Sequence, residues 1–388
     1  MFEEPLRDLG IELVNISNIP IVPHPSSSAS IEDGEIKLDL SVLDSCDILF
    51  FRRYYNTSIK CSLKGCTFRL PYGQWKDKRI DEHGKLGPEH LVTTSDVVTR
   101  PVWAMVREHW KKAIVYDTDD LHLGVGVQSW NGYKVDVDYE RDLIADMVRR
   151  ATLVTVSTPA LAQSYGAYNK NIRVIRNAID ISAYTSDSVL QKRDRPLVLY
   201  YGGAARMRDF LGQMFTGDPD DGTPRAGRAI DFLRRSKLIS TAFAGLDEPQ
   251  LAPLLHRLFD EVYDYVDGPR NFARLLASIN ADIGVAPLGG DEFDRHKSEL
   301  HWLEYAVLGI PCVAQRFSHN PSPYSVIRNG EDGFLAKSEQ EWRDYVGRLA
   351  RDPELRARIG ENARERVIRE YDHRERAKEW AEAFFSVA

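Results

Sequence analysis

Cysteine is scarce in this chain: Cys46, Cys61, Cys66 and Cys312 are the only four among 388 residues. Cys61 and Cys66 lie close together, but no second pair and no neighbouring histidine completes a zinc set. The thiols are therefore read as reduced and structural, and no metal site is expected. No apolar run approaches the roughly 18 residues that a membrane span needs. The opening MFEEPLRDLG lacks the basic-then-apolar order of a secretory signal, so a cytoplasmic protein without a transmembrane segment is expected. Excess positive charge is missing too, since 51 Lys and Arg face 58 Asp and Glu for a net charge of -7 and a pI near 5.9. That balance gives no electrostatic reason to expect a nucleic-acid partner, although it leaves local basic patches open. Long internal repeats are absent. The remaining composition, 43% hydrophobic and 28% charged, is that of a globular protein, and the length exceeds what one core usually supports. Two domains are expected.

The first half alternates strands and helices. Ile11 to Ile16, Ile48 to Phe51, Ala113 to Tyr116 and Leu153 to Val156 read as strands, and Glu4 to Leu9, Val97 to Trp110 and Tyr139 to Arg150 as helices. This rhythm predicts a parallel sheet wound on both faces. Between Cys61 and His90 periodicity is poor and Gly, Lys, Asp and His abound, which predicts a long functional loop. Around Arg173, IRVIRNAIDISAY leads from a strand into a turn, and SDSVLQKRDRP follows as a polar connector. The domain boundary is placed there, at about residues 185 to 195. The second half restarts the rhythm with strands Leu197 to Tyr201, Ser240 to Ala244 and Ile283 to Ala286. Its helices are Ala229 to Arg235, Asn271 to Ser278, Glu339 to Arg351, Pro353 to Glu370 and His373 to Phe385. Gly212 to Gly227, too rich in Gly, Pro and Asp for either element, reads as an inserted loop beside Arg206 and Arg208.

The most informative stretch is His296 to Gln315, HKSELHWLEYAVLGIPCVAQ. Leu300, Leu303, Val307 and Leu308 follow the spacing of a buried helical face, Gly309 and Pro311 stop the helix, and Cys312 to Ala314 forms a strand. The first turn, Ser298, Glu299 and Leu300, has unpaired backbone N–H groups and the positive end of the helix dipole, with Lys297 just before it. Such a turn suits an anion such as a diphosphate, and Ser298 is also a candidate N-cap. Glu304 stands in mid-helix. A second motif, YDTDDLH from Tyr116 to His122, closes a strand with three aspartates in four residues. Asp117 and Asp119 fit a metal-binding D-x-D, a structural turn, or a ligand-facing loop at the carboxyl end of a strand.

LEYAVLGIPCVA, preceded by VAPLGG and followed by NGEDGFLA, resembles the C-terminal domain of nucleotide-sugar-dependent glycosyltransferases of the GT-B fold, group 1 or family 4 type. The order of elements fits over most of residues 110 to 380. The resemblance implies an α/β chain of two Rossmann-like domains with parallel sheets facing a central cleft. An acceptor domain would span 1–188 and a donor domain 189–370, with helix 371–388 bracing the first. Members generally open with a strand before the helix found here at Glu4 to Leu9, so the first strand is expected to be missing, replaced or upstream. Glu304 would accept hydrogen bonds from the ribose hydroxyls of the donor, since a carboxylate on a fixed helix suits a vicinal diol. The usual partner glutamate eight residues earlier is replaced by His296. The turn YYGGAARMRDF, with Gly202 and Gly203, sits where the family carries its basic residues. Arg208 is the first choice for the diphosphate, then Arg206, with Lys297 in support. The base pocket would lie near Tyr265 and Val266. D-x-D-D segments like this one occur in the acceptor domain of the family, which favours the ligand-facing reading, and Asp119, Asp120 and His122 are the candidates if a base is needed. The implied reaction is metal-independent hexosyl transfer, of retaining type and without a cofactor. The donor would be a UDP or GDP sugar and the acceptor a glycan, protein, lipid or small molecule. Alternatives are a donor-binding pseudoenzyme, a nucleotide-sugar epimerase or hydrolase of the same fold and, with a nucleic-acid acceptor, a DNA-base glycosyltransferase.

Overall fold

Runs such as LVTV at Leu153–Val156 and LVLYY at Leu197–Tyr201 carry no charged residue, and both are buried at every position as parallel strands. The computed structural model describes residues 3–12, 29–32, 35–38, 46–52, 110–123, 137–185, 193–202, 226–246, 249–289, 292–317 and 323–388. These residues fall into two units, one drawn from 6–156, 162–174 and 380–388, the other from 1–5, 157–161 and 175–379.

In the first unit an antiparallel hairpin joins β1 (Ala29–Glu32) to β2 (Glu35–Leu38). A four-stranded parallel sheet follows in sequential order: β3 (Ile48–Arg52), β4 (Ala113–Thr118), β5 (Leu153–Val156) and β6 (Ile172–Val174). Helix Val137–Arg150 connects β4 to β5, where the sequence places one. The hairpin was not foreseen. Phe50 on β3 meets Trp380 and Phe384 edge-on, with ring centroids 5.6 and 5.4 Å away. Most of the strand expected at Ile11 to Ile16, the loop from Cys61 to His90 and nearly all of the helix from Val97 to Trp110 lie outside the described residues.

The second unit holds a six-stranded parallel sheet: β7 (Leu197–Tyr201), β8 (Ser240–Leu246), β9 (Glu261–Asp264), β10 (Ile283–Ala286), β11 (Cys312–Gln315) and β12 (Phe334–Ala336). Their spatial order is β12-β11-β10-β7-β8-β9. This is the doubly wound dinucleotide-fold order, and its direction reverses between β7 and β10. Successive residues of β7 point to opposite faces. Leu199 and Tyr201 join a core with Trp302, Leu303 and Tyr305, whereas Val198 and Tyr200 join one with Phe243, Trp342 and Ile359. Two of the helices on these faces begin at side-chain caps: Ser338 accepts from Glu341 N at 3.2 Å, and Asp352 accepts from Leu355 N at 2.9 Å ahead of Pro353.

Two expectations need correction. Leu300 does not belong to the buried face of its helix: it is 40% exposed, and the face is built by Trp302, Leu303, Tyr305, Ala306 and Val307. Leu300 is the first residue of the helix, where the spacing of the later turns does not decide burial. Ala226 and Gly227, assigned to the inserted loop, are buried at the start of helix Ala226–Arg235, and residues 203–225 lie outside the described set. Strands β9 and β12 and helices Ala252–Leu258 and Glu292–Arg295 were also unforeseen. Among the described residues no helix is long and apolar enough to cross a membrane.

Candidate functional site

In open α/β sheets the crevice for a ligand lies beyond the carboxyl ends of the strands where the order reverses. Here that point is the end of β7 and β10. β7 runs out at Tyr201 and Gly202, and Gly202 N donates to Ala244 O at 3.0 Å. Gly245, at φ +109°, faces this turn so closely that a Cβ would sit 2.8 Å from Gly202 O. The exits of β7 and β8 are thus in backbone contact, and only glycine fits. On the other side, helix Leu300–Val307 is fixed by Tyr305. The ring lies against Gly284 of β10, and the hydroxyl donates to Leu199 O at 2.8 Å.

Glu304, next to Tyr305, is therefore carried on a helix pinned across the reversal point. Its carboxylate accepts two hydroxyl hydrogen bonds, from Tyr201 to Oε2 and from Tyr184 to Oε1, the latter at 3.1 Å. Tyr201 is held in turn by Phe272, His301 and Tyr305, with ring centroids 4.5 to 5.3 Å away. Glu304 as a residue keeps partial solvent contact. Its carboxyl is nonetheless desolvated enough to be pushed up to about 7, against the lowering effect of both tyrosines. Burial and the Glu304 charge hold the two phenols above their ordinary value, so they act as donors.

The loop from Gly289 to the start of this helix is tied down at several atoms. Asp294, 1% exposed, accepts from Gly289 N at 2.7 Å. His296 O accepts from Thr158 Oγ1 at 3.3 Å, and His296 Nδ1 lies 2.6 Å from Glu292 O. Asn177 Nδ2 donates to Ser298 Oγ at 2.7 Å. Ser298 is not the N-cap; Glu299 takes that position, with no side-chain capping bond. The Glu299 side chain is instead fully buried, one oxygen 3.2 Å from Arg176 and the other without a hydrogen-bond partner. Lys297 Nζ lies 4.0 Å from the Phe293 ring centroid. Val266 is partly buried just past β9, beside Tyr265 at 53% exposure.

The structure thus gathers Gly202, Val266, His296, Lys297, Ser298, Glu299, Leu300 and Glu304 in the second unit. Asp119, Asp120 and His122 belong to the first, at the carboxyl end of β4. There Asp120 O accepts from Thr118 Oγ1 at 2.8 Å and Tyr165 OH at 3.1 Å, and His122 N donates to the same phenol at 3.1 Å. Asp117 is turned inward to accept from Thr155 Oγ1 at 2.8 Å. Gly203, Arg206 and Arg208 lie outside the described residues. Among the described residues no group of three or more His, Cys, Asp or Glu converges as a metal set.

Residues 261–382 match the family model described as "Glycosyl transferase-like". Among solved structures, sucrose-phosphate synthase from Thermosynechococcus elongatus aligns with a TM-score of 0.54 at 17% identity, over 75% of this chain and 71% of that one. HepE of Anabaena, solved with UDP and glucose, aligns with a TM-score of 0.50 at 15% identity, over 75% of each chain. The fold is GT-B. WaaG, a glycosyltransferase involved in lipopolysaccharide biosynthesis, gives a TM-score of 0.50 at 13% identity over 74% of the present chain and 83% of its own. No curated protein matches. Within this GT-B chain, sequence reasoning missed Tyr184 and Tyr201 as partners of Glu304. They lie 120 and 103 residues away along the chain, so no local pattern links them. Only the polar tips of Tyr200 and Tyr201, at the end of an otherwise aliphatic strand, hinted at a role.

Proposed function

We propose that this chain is a glycosyltransferase whose second domain binds a nucleoside diphosphate sugar, of UDP or GDP type. The observation that carries the reading is the placement of Glu304: a carboxylate with spare acceptor sites, on a helix pinned where the strand order of the sheet reverses. The ribose diol would donate to it, and the diphosphate would meet the N–H groups at Ser298 to Leu300, with Lys297 nearby. Arg208 and Arg206 are proposed to add charge from the turn after Gly202 and Gly203, and Val266 to border the base. HepE with UDP and glucose supports this choice of donor as a solved example on the same fold.

The proposed reaction breaks the bond from the anomeric carbon to the diphosphate and forms one to an acceptor oxygen. The acceptor proton passes to the departing phosphate, as a retaining transfer allows, and placed N–H groups and cations offset the growing negative charge without a metal. The acceptor is a glycan, protein, lipid or small molecule held by the first domain, where Asp119, Asp120 and His122 stand at a strand end. His296, in place of an acidic residue near the transferred sugar, favours one alternative, a protein that binds donor without transferring it. Calorimetry with UDP and GDP sugars, followed by sugar release across an acceptor panel, tests both. Binding with transfer supports the enzyme, binding without release the alternative, and no binding overturns the donor site.

A further inference from the structure

Both oxygens of Glu304 are occupied by donors that are themselves fixed. Tyr201 ends a central strand and is wedged among three rings. Tyr184 follows the short helical turn Ile181–Ala183 in the segment between the two sheets, and that turn is anchored twice. Asp180 accepts from Ser182 N at 3.2 Å and pairs with Arg270 at 3.2 Å, while Ile179 exchanges backbone bonds with Tyr371 and His373 at 2.9 and 3.1 Å. A carboxylate offers about four acceptor sites, so one hydroxyl on each oxygen leaves one site on each, matching the two donors of a vicinal diol.

Resting on the donor reading above, we infer that Tyr184 is a positioning residue for nucleotide recognition. With Tyr201 it fixes the plane of the Glu304 carboxylate and favours its charged form, so that the site prefers a ribose bearing both hydroxyls. Phenylalanine at 184 preserves the ring and deletes only the donor to Oε1. The carboxylate then gains a rotational freedom and loses a bond that favours its charged form. The other titratable groups around this cluster are Tyr305 and His301, from the same helix, and Asp180 beyond Tyr184. None is a cation fixed on Glu304, so among the described residues the two phenols are the groups that support its charge.

The test compares the affinities of UDP and 2′,3′-dideoxy-UDP, and of GDP and its dideoxy form, for the full chain from pH 6 to 8.5. Tyr184→Phe is expected to shrink the preference for the intact diol by about three- to tenfold and to move its pH midpoint upward, with unfolding temperature near that of the parent. Tyr201→Phe is expected to act in the same direction from Oε2. If Tyr184→Phe leaves both preference and midpoint at parental values while Glu304→Gln abolishes the preference, the inference is wrong and the ribose reading stands. If Glu304→Gln also leaves the preference intact, the ribose reading itself falls.

Discussion

Titrating donor binding separates a ribose anchor from an incidental helix glutamate. Burial raises the Glu304 carboxyl from 4.5 to about 7. In the free protein the group is therefore mostly neutral at pH 6 and mostly charged at pH 8. The ribose hydroxyls donate, so they bind best to the charged form, and affinity for the diol rises with pH. If only the charged form binds the diol, the apparent dissociation constant falls about tenfold between pH 6 and pH 8, or about 1.4 kcal/mol. The diphosphate also titrates in this range, which would confuse a bare affinity. The ratio of UDP to 2′,3′-dideoxy-UDP affinities cancels that contribution, because both ligands carry the same phosphates. Calorimetry should show the ratio rising through a midpoint near pH 7 in the parent and staying flat in Glu304→Gln. A parental ratio that does not change from pH 6 to pH 8 would rule out Glu304 as the ribose anchor, since the carboxylate would then be blind to the sugar.

The same shift bears on the free protein with the opposite sense. A folded pKa above the unfolded one means that this group's contribution to stability is fully present below about pH 4.5 and is lost as pH rises through 7, about 3 kcal/mol at most. Glu304→Gln should therefore gain on the parent in chemical denaturation at pH 8 but not at pH 5. Gly284→Ala would place a methyl 2.5 Å from the Tyr305 ring, which is fully buried and bonded to Leu199 O, so it should cost about 1–3 kcal/mol in denaturant unfolding. Arg366 pairs at 2.6 Å with Asp332, whose side chain is 3% exposed. Arg366→Ala strands that charge and should destabilise by about 3 kcal/mol in the same assay.

Much of the second domain could be read in advance because its elements carry one strong signal each. Buried strands such as Leu197–Tyr201 and Ile283–Ala286 carry no charged residue and are buried at every position, and the helices Glu339–Arg351 and Pro353–Glu370 have caps that sequence states directly. Strands β9 and β12 escaped because Glu261–Asp264 alternates with charge and Phe334–Ala336 is three residues long. Leu300 shows the limit of periodicity, which fixes an angle around the helix but not whether anything packs on that position. In the candidate site the helix, its stop and the place of Glu304 were legible. The donors to its two oxygens were not, since both reach it only through tertiary packing. Likewise the charge at Glu299 gave no sign that it would turn inward to Arg176 rather than outward to a ligand.

A crystal structure with UDP bound asks whether the ribose rests on Glu304, where the second sheet reverses its strand order. Both ribose hydroxyls are expected within hydrogen-bond distance of the Glu304 carboxylate, with the diphosphate over the backbone of Ser298 to Leu300. Nucleotide bound elsewhere, or at this point with its ribose turned away from Glu304, would contradict that placement.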